Sequence, residues 1–235
     1  MTFVLVHGGG TTGGCWELLL PLLDRPACAV DLPGRGHHPA DLASVTVSDF
    51  ADCVAAVIVE NDLTDVVLVG HSLAGITLPR VADRVSDRLR RLVFISCAVP
   101  AQGDSVADIL ATFSPTVAKV AARIGDDVVT AEGVLHPELA SAMLCNDMDE
   151  RQQRLTLSLL VPEALQVVSE PMDLSGLRHA IPITYVRLLR DQSLTPATQD
   201  QMAAHLGATD IIDLDAGHMA MISQPEKLAA ILNRL

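Results

Sequence analysis

The segment Val66-Val67-Leu68-Val69-Gly70-His71-Ser72-Leu73-Ala74-Gly75 constrains this chain more than any other. An unbroken apolar, β-branched run reads as a strand buried on both faces, and the small residues after it read as a tight turn. From Leu73 to Val85 the apolar spacing changes to that of a helix. A strand with two covered faces needs helices on both sides, which means a parallel sheet in an α/β fold.

The rest of the chain repeats the alternation. Strand-like runs at Phe3 to Val6, Ala27 to Asp31, Val66 to Val69 and Leu92 to Ser96 are bounded by Gly, Pro or Asp. Helical spacing fills Trp16 to Leu23, Val47 to Glu60 and Leu73 to Val85 between them. Two further strands are expected at Ile183 to Leu188 and Asp210 to Leu214, with a last helix from about Pro225 to Leu235. The predicted fold is a mostly parallel sheet of about six strands flanked by helices, with right-handed crossovers. Residues 1–235 read as one domain, because no linker-like stretch divides them. The irregular, mainly helical stretch at about 100–180 is expected to be a cap inserted into the sheet.

Composition narrows the function classes. Hydrophobic residues make up 49% of the 235, and the formal charge is −13 with only 16 Lys and Arg, which argues against nucleic acid or an anionic membrane as partner. Phe3 to Val6 is too short for a signal peptide or a membrane span, so a soluble, cytoplasmic protein is expected. Cys15, Cys28, Cys53, Cys97 and Cys145 are odd in number and scattered, which suggests reduced, packed thiols and no zinc site. The acidic cluster Asp147, Asp149, Glu150 reads as a solvated face.

The strand, turn and helix around Ser72 have the form of a nucleophile elbow, in which a strained turn exposes a serine at the end of a strand. The residues two before and two after that serine must be small. Gly70 satisfies this, and Ala74 departs from the strict Gly-x-Ser-x-Gly pattern by one methyl group. The alternative is a helix-capping serine. If Ser72 is the nucleophile, the Leu73 N–H is the natural first donor to an oxyanion. His7-Gly8-Gly9-Gly10 follows the first strand, where a glycine loop can bring a second N–H to the same oxygen, and Gly9 is the candidate. The dinucleotide pattern G-x-G-x-x-G is not met there, so no cofactor is expected. His7 reads as a residue that orients the loop.

In this chain order the acid precedes the base and both follow strand ends. His218, in Asp215-Ala216-Gly217-His218-Met219 after the last strand, is the candidate base. Asp191, just beyond the strand Ile183 to Leu188, is the candidate acid; Asp213 and Asp215 are rivals lying close to His218 in sequence. His37, His38, His71, His136, His179 and His205 read as structural or solvent-facing.

With these residues in view, the chain resembles a branch of the α/β-hydrolases: plant methylesterases of the salicylate-binding type, hydroxynitrile lyases, and bacterial small-ester and pyrethroid-type hydrolases. The likeness lies in Phe3 to Trp16, Gly70 to Leu73, Ser158 to Leu165, His218-Met219-Ala220-Met221 and Gln224-Pro225-Glu226-Lys227-Leu228. The resemblance implies a triad of Ser72, Asp191 and His218, an oxyanion hole of Gly9 and Leu73, and a cap that shapes the substrate pocket. It also implies a small-molecule ester as substrate and a possible homodimer. Lyases of this branch carry Lys after the histidine of the triad and Thr after the first-strand histidine, where this chain has Met219 and Gly8. The expected function is cleavage of a small or medium carboxylic ester through an acyl-enzyme, without metal or organic cofactor. A lyase, or a ligand receptor on the same scaffold, is the alternative.

Overall fold

The computed structural model describes residues 1–109 and 114–235. Six strands, β1 (Thr2–Val6), β2 (Ala27–Val30), β3 (Val66–His71), β4 (Leu89–Ile95), β5 (Ile183–Leu188) and β6 (Asp210–Leu214), form one sheet. Every pairing is parallel, in the order β2-β1-β3-β4-β5-β6. Consecutive side chains alternate between two cores, as the pleat requires. Val4, Val6, Leu68, Phe94 and Tyr185 enter one of them; Phe3, Leu5, Val69, Ile95 and Val186 enter the other.

Helix α1 (Val47–Glu60) shows why this sequence covers one face. Thr46 and Asp49 form a capping box at its start, and Val47, Phe50, Ala51, Val54, Ala55 and Ile58 make one buried stripe. Next to it lies α2 (Leu78–Val85), which buries Leu78, Val81, Ala82 and Val85. The opposite face is closed by Trp16 and Leu19 and by the C-terminal helix described below, all within the second core.

Two expected helices differ from the structure. Trp16 to Leu23 is not a helix: single 3-10 turns occupy Gly13–Trp16 and Leu20–Leu22. Two glycines ahead of the run and Pro21 within it deny an α-helix its propensity and its hydrogen-bond ladder. The helix expected from Leu73 begins as a 3-10 turn, Ser72–Ile76, and becomes α-helical only at Leu78. Pro79 explains the break, because its ring would clash with the carbonyl four residues back in a continuous helix.

Between β4 and β5, where a cap is expected, the described residues form four α-helices: α3 (Val106–Ile109), α4 (Pro115–Ile124), α5 (Pro137–Leu144) and α6 (Glu150–Ser158). Residues 110–113, within the expected cap, lie outside the described residues. The chain ends with α7 (Pro196–His205) before β6, then α8 (Ala220–Ser223) and α9 (Pro225–Leu232). All five cysteines are free thiols, and three of them are buried. No helix among the described residues is long and apolar enough to cross a membrane.

Strand order reverses at β1: the chain crosses one way to β2 and the other way to β3. The crevice beyond the carboxyl ends of strands at such a switch point is where open α/β sheets bind ligands. The loops after β1 and β3 meet there, and they carry Gly8, Gly9 and Ser72.

Candidate active site

Ser72 follows β3 directly and adopts φ of +52°, in the left-handed region that costs a non-glycine residue energy. Packing enforces that strain. A Cβ on Gly70 would lie 2.7 Å from Leu78 Cδ1 and 3.1 Å from the Ala74 methyl, so strand and helix meet too closely for a larger residue there. Ala74 fits as a buried methyl group, and the departure from the strict motif is absorbed. The β1 loop lies against the serine: a Cβ on Gly8 would come within 2.9 Å of Ser72 Cβ.

The loop after β6 delivers His218 to the same point, with Nε2 2.9 Å from Ser72 Oγ. Its Nδ1 lies 2.6 Å from Asp191 Oδ2, in the loop after β5. Asp191 can only accept as a carboxylate, so Nδ1 carries the proton and Nε2 is left to accept from the serine hydroxyl. The other Asp191 oxygen accepts the Ser193 and Leu194 amides, at 2.7 Å and 3.0 Å. Asp191 and His218 are both nearly inaccessible to solvent, and Ser72 is half-buried. The structure thus brings together Ser72, His218 and Asp191 from three strand ends. The rivals are engaged elsewhere: Asp213 pairs with Arg187 and Asp215 with Arg190.

The two histidines next to this chain hold loops. His7 Nδ1 donates to the Gly8 carbonyl (2.8 Å) and its Nε2 accepts the Leu32 amide (3.2 Å). Burial pulls its pKa from 6.5 down to about 4, so it is neutral. His71 donates Nε2–H to the His218 carbonyl (2.9 Å) and packs its ring 4.6 Å from that of His218. Burial first, and the neighbouring His218 second, hold its pKa well below 6.5. Both act as neutral struts.

Sequence reasoning missed Ser96 and misjudged Asp147. Ser96, fully buried just after β4, donates its hydroxyl to Asp191 Oδ2 at 2.6 Å. Asp147 does not belong to a solvated face: its side chain is wholly buried and accepts the Gly217 amide at 2.7 Å, one residue before His218. The packing of the α5–α6 connection against the β6 loop draws it in. Asp149 and Glu150 are exposed, and Asp149 caps α6. Neither Ser96 nor Asp147 stands in a recognisable motif. Among the described residues no cluster of three or more His, Cys, Asp or Glu side chains could hold a metal ion.

The geometry can do specific chemistry. A hydroxyl bonded to a neutral imidazole, itself bonded to a buried carboxylate, can lose its proton while attacking an electrophilic carbon, because the carboxylate stabilises the imidazolium that forms. The Leu73 N–H, in the first turn behind Ser72, has no acceptor within its helix. The Gly9 N–H has none among the described residues.

Comparison with known proteins agrees with this architecture. The model of the alpha/beta hydrolase family matches residues 3–231. The chain belongs to that family. A carbendazim hydrolyzing esterase of Nocardioides sp. (strain SG-4G) is 27% identical over 247 residues, covering 99% of this chain and 98% of that protein. Methylesterase 18 of Arabidopsis thaliana is 25% identical, covering 98% and 95%. Among solved structures, an extracellular alpha/beta-hydrolase from a Paenibacillus species matches with a TM-score of 0.81 at 26% identity, covering 100% of this chain and 98% of that one. That protein shares structural and functional homology with Tobacco Salicylic Acid Binding Protein 2. The resemblance seen in the sequence therefore holds for family and fold.

Proposed function

We propose that this member of the alpha/beta hydrolase family hydrolyses a small or medium carboxylic ester through an acyl-enzyme. The observation that carries the reading is the continuous hydrogen-bond chain from Ser72 Oγ through His218 to Asp191 at the strand switch point. Relatives named esterase and methylesterase support the same chemistry.

In this mechanism Ser72 Oγ attacks the ester carbonyl as His218 Nε2 takes its proton. The carbonyl oxygen becomes an oxyanion that accepts the Gly9 and Leu73 amides. His218 then gives the proton to the departing alkoxide, and the alcohol leaves Ser72 acylated. Water repeats the sequence on the acyl-enzyme and releases the acid. Asp191 holds the imidazole tautomer and stabilises the imidazolium without taking its proton. The helices α3 to α6, between β4 and β5, serve as the cap that shapes the pocket. Met219 is buried in the apolar core, so no ammonium stands after His218 to meet a leaving cyanide, and an ester fits better than a cyanohydrin.

Turnover of p-nitrophenyl esters of graded acyl length tests the reading. Wild-type protein is expected to release nitrophenol. Ser72→Ala should lose at least about a thousandfold in kcat, the scale on which a triad member matters, while its melting temperature stays close to wild type. Wild-type-like turnover by Ser72→Ala overturns the mechanism.

A further inference from the structure

Gly9 and Gly10 are neighbours in the loop after β1, yet their amides have different fates. The Gly10 N–H donates to Glu163 Oε2 at 2.8 Å, and the Gly10 carbonyl accepts the Val161 amide at 2.9 Å. Two bonds thus tie the loop to the stretch beyond α6. A Cβ on Gly9 would lie 3.1 Å from Glu163 Oε2 and 3.0 Å from Leu73 Cδ2. Gly9 is therefore held between Glu163 and the residue that carries the other proposed oxyanion donor.

Glu163 is itself fixed. Its Oε1 accepts the Ala164 amide (2.7 Å) and pairs with the Arg35 guanidinium. Arg35, from the loop after β2, is 2% exposed; it donates to the Pro33 carbonyl (2.9 Å) and lies 4.7 Å from the ring centre of Phe50 in α1. Stability gives no reason for this arrangement, since a buried ion pair contributes little beyond what well-packed apolar side chains of the same volume would. Electrostatics gives one. A carboxylate beside a forming oxyanion would repel it, and a paired guanidinium cancels that charge while leaving the carboxylate oxygens able to accept.

We propose that Glu163 is a positioning residue of the oxyanion loop: neutralised by Arg35, it engages the Gly10 amide and sets the Gly9 amide for the oxyanion. The inference rests on the acyl-enzyme reading above. Glu163 does its work through the loop, so its loss should weaken transition-state binding and leave ground-state binding of the ester alone.

The test uses three variants, p-nitrophenyl acetate turnover and labelling by a fluorophosphonate, which follows attack of Ser72 Oγ on phosphorus with loss of fluoride. Glu163→Leu should lower kcat about 10- to 100-fold with KM within about threefold, the cost of a misplaced donor. Its rate of fluorophosphonate labelling should fall in parallel. Glu163→Gln, which can still accept the Gly10 amide, should keep kcat within about fivefold of wild type. Glu163→Leu leaves Arg35 buried and unpaired, so the double variant Arg35→Met with Glu163→Leu separates folding from positioning. It should melt above the single variant and keep the loss of kcat. Recovery of wild-type kcat in the double variant, or a loss carried wholly by KM, overturns the proposal. If wild type reacts and Glu163→Leu reacts as fast, this inference alone fails. A wild type inert to both ester and fluorophosphonate sinks the acyl-enzyme reading and the inference with it.

Discussion

Ser96 stands where β4 ends, with φ of +40° and its hydroxyl 2.6 Å from the Asp191 oxygen that also receives His218. With the Ser193 and Leu194 amides on the other oxygen, Asp191 accepts from four groups while its side chain is fully buried. Removing one donor from a buried carboxylate costs on the order of 1.5–3 kcal/mol and loosens the group that orients His218. Ser96→Ala and Ser96→Gly should therefore both lower kcat/KM, by about tenfold on p-nitrophenyl acetate. Glycine alone relieves the positive φ, so thermal melts should place Ser96→Gly above Ser96→Ala by up to about 1 kcal/mol. Wild-type kcat/KM in the glycine variant would assign Ser96 a backbone role only. At this scale the meeting of Ser72, Asp191 and His218 was legible, because a turn motif and the order of residues after strand ends point to them. Ser96 was not: its partner lies 95 positions away, and a buried serine at a strand end carries no local signature.

The elements show a similar division. Helix α1 was legible from its apolar stripe, which is local. The 3-10 start of the elbow could have been read from Pro79, and the broken run at 16–23 from Pro21 and the glycines before it. The tie between the α5–α6 connection and the β6 loop could not, because it joins positions 70 residues apart. Asp147 makes that tie, and Arg190, next to Asp191, lies 3.5 Å from the same carboxylate. The loops carrying His218 and Asp191 thus share one buried anchor. Asp147→Ala should leave the Gly217 amide without an acceptor, lower unfolding free energy by about 1–3 kcal/mol and reduce kcat as His218 gains freedom. Asp147→Asn keeps an acceptor for that amide and should retain more of both. Urea melts and ester turnover on the two variants check this; equal loss in both would mean that the charge, and not the bond to Gly217, matters.

For the molecule as a whole, alternating strand and helix patterns implied a parallel sheet but not its order, because order depends on which crossover goes which way from β1. Nor did they show that two histidines would be sealed beneath the site, and this has a consequence for stability. His7 has its pKa lowered from 6.5 to about 4, and His71 well below 6.5, burial being the first cause for both. The unfolded chain protonates these side chains near 6.5, whereas the folded protein resists until about pH 4 in the case of His7. Between those values the unfolded state binds more protons, so stability rises with pH. The stabilisation is complete above about pH 6.5 and is lost as pH falls toward 4. His7 alone would account for about 3 kcal/mol over that window, and each neutral-buried histidine for at most about 1.4 kcal/mol per pH unit. Unfolding free energy from urea melts should therefore drop steeply between pH 6.5 and 4.5. His7→Gln should start lower at pH 7, having lost its fit to the Gly8 carbonyl and Leu32 amide, yet fall less steeply as pH drops. A His7→Gln slope equal to that of wild type would show that His7 does not resist protonation in the fold, and that the acid sensitivity comes from other groups.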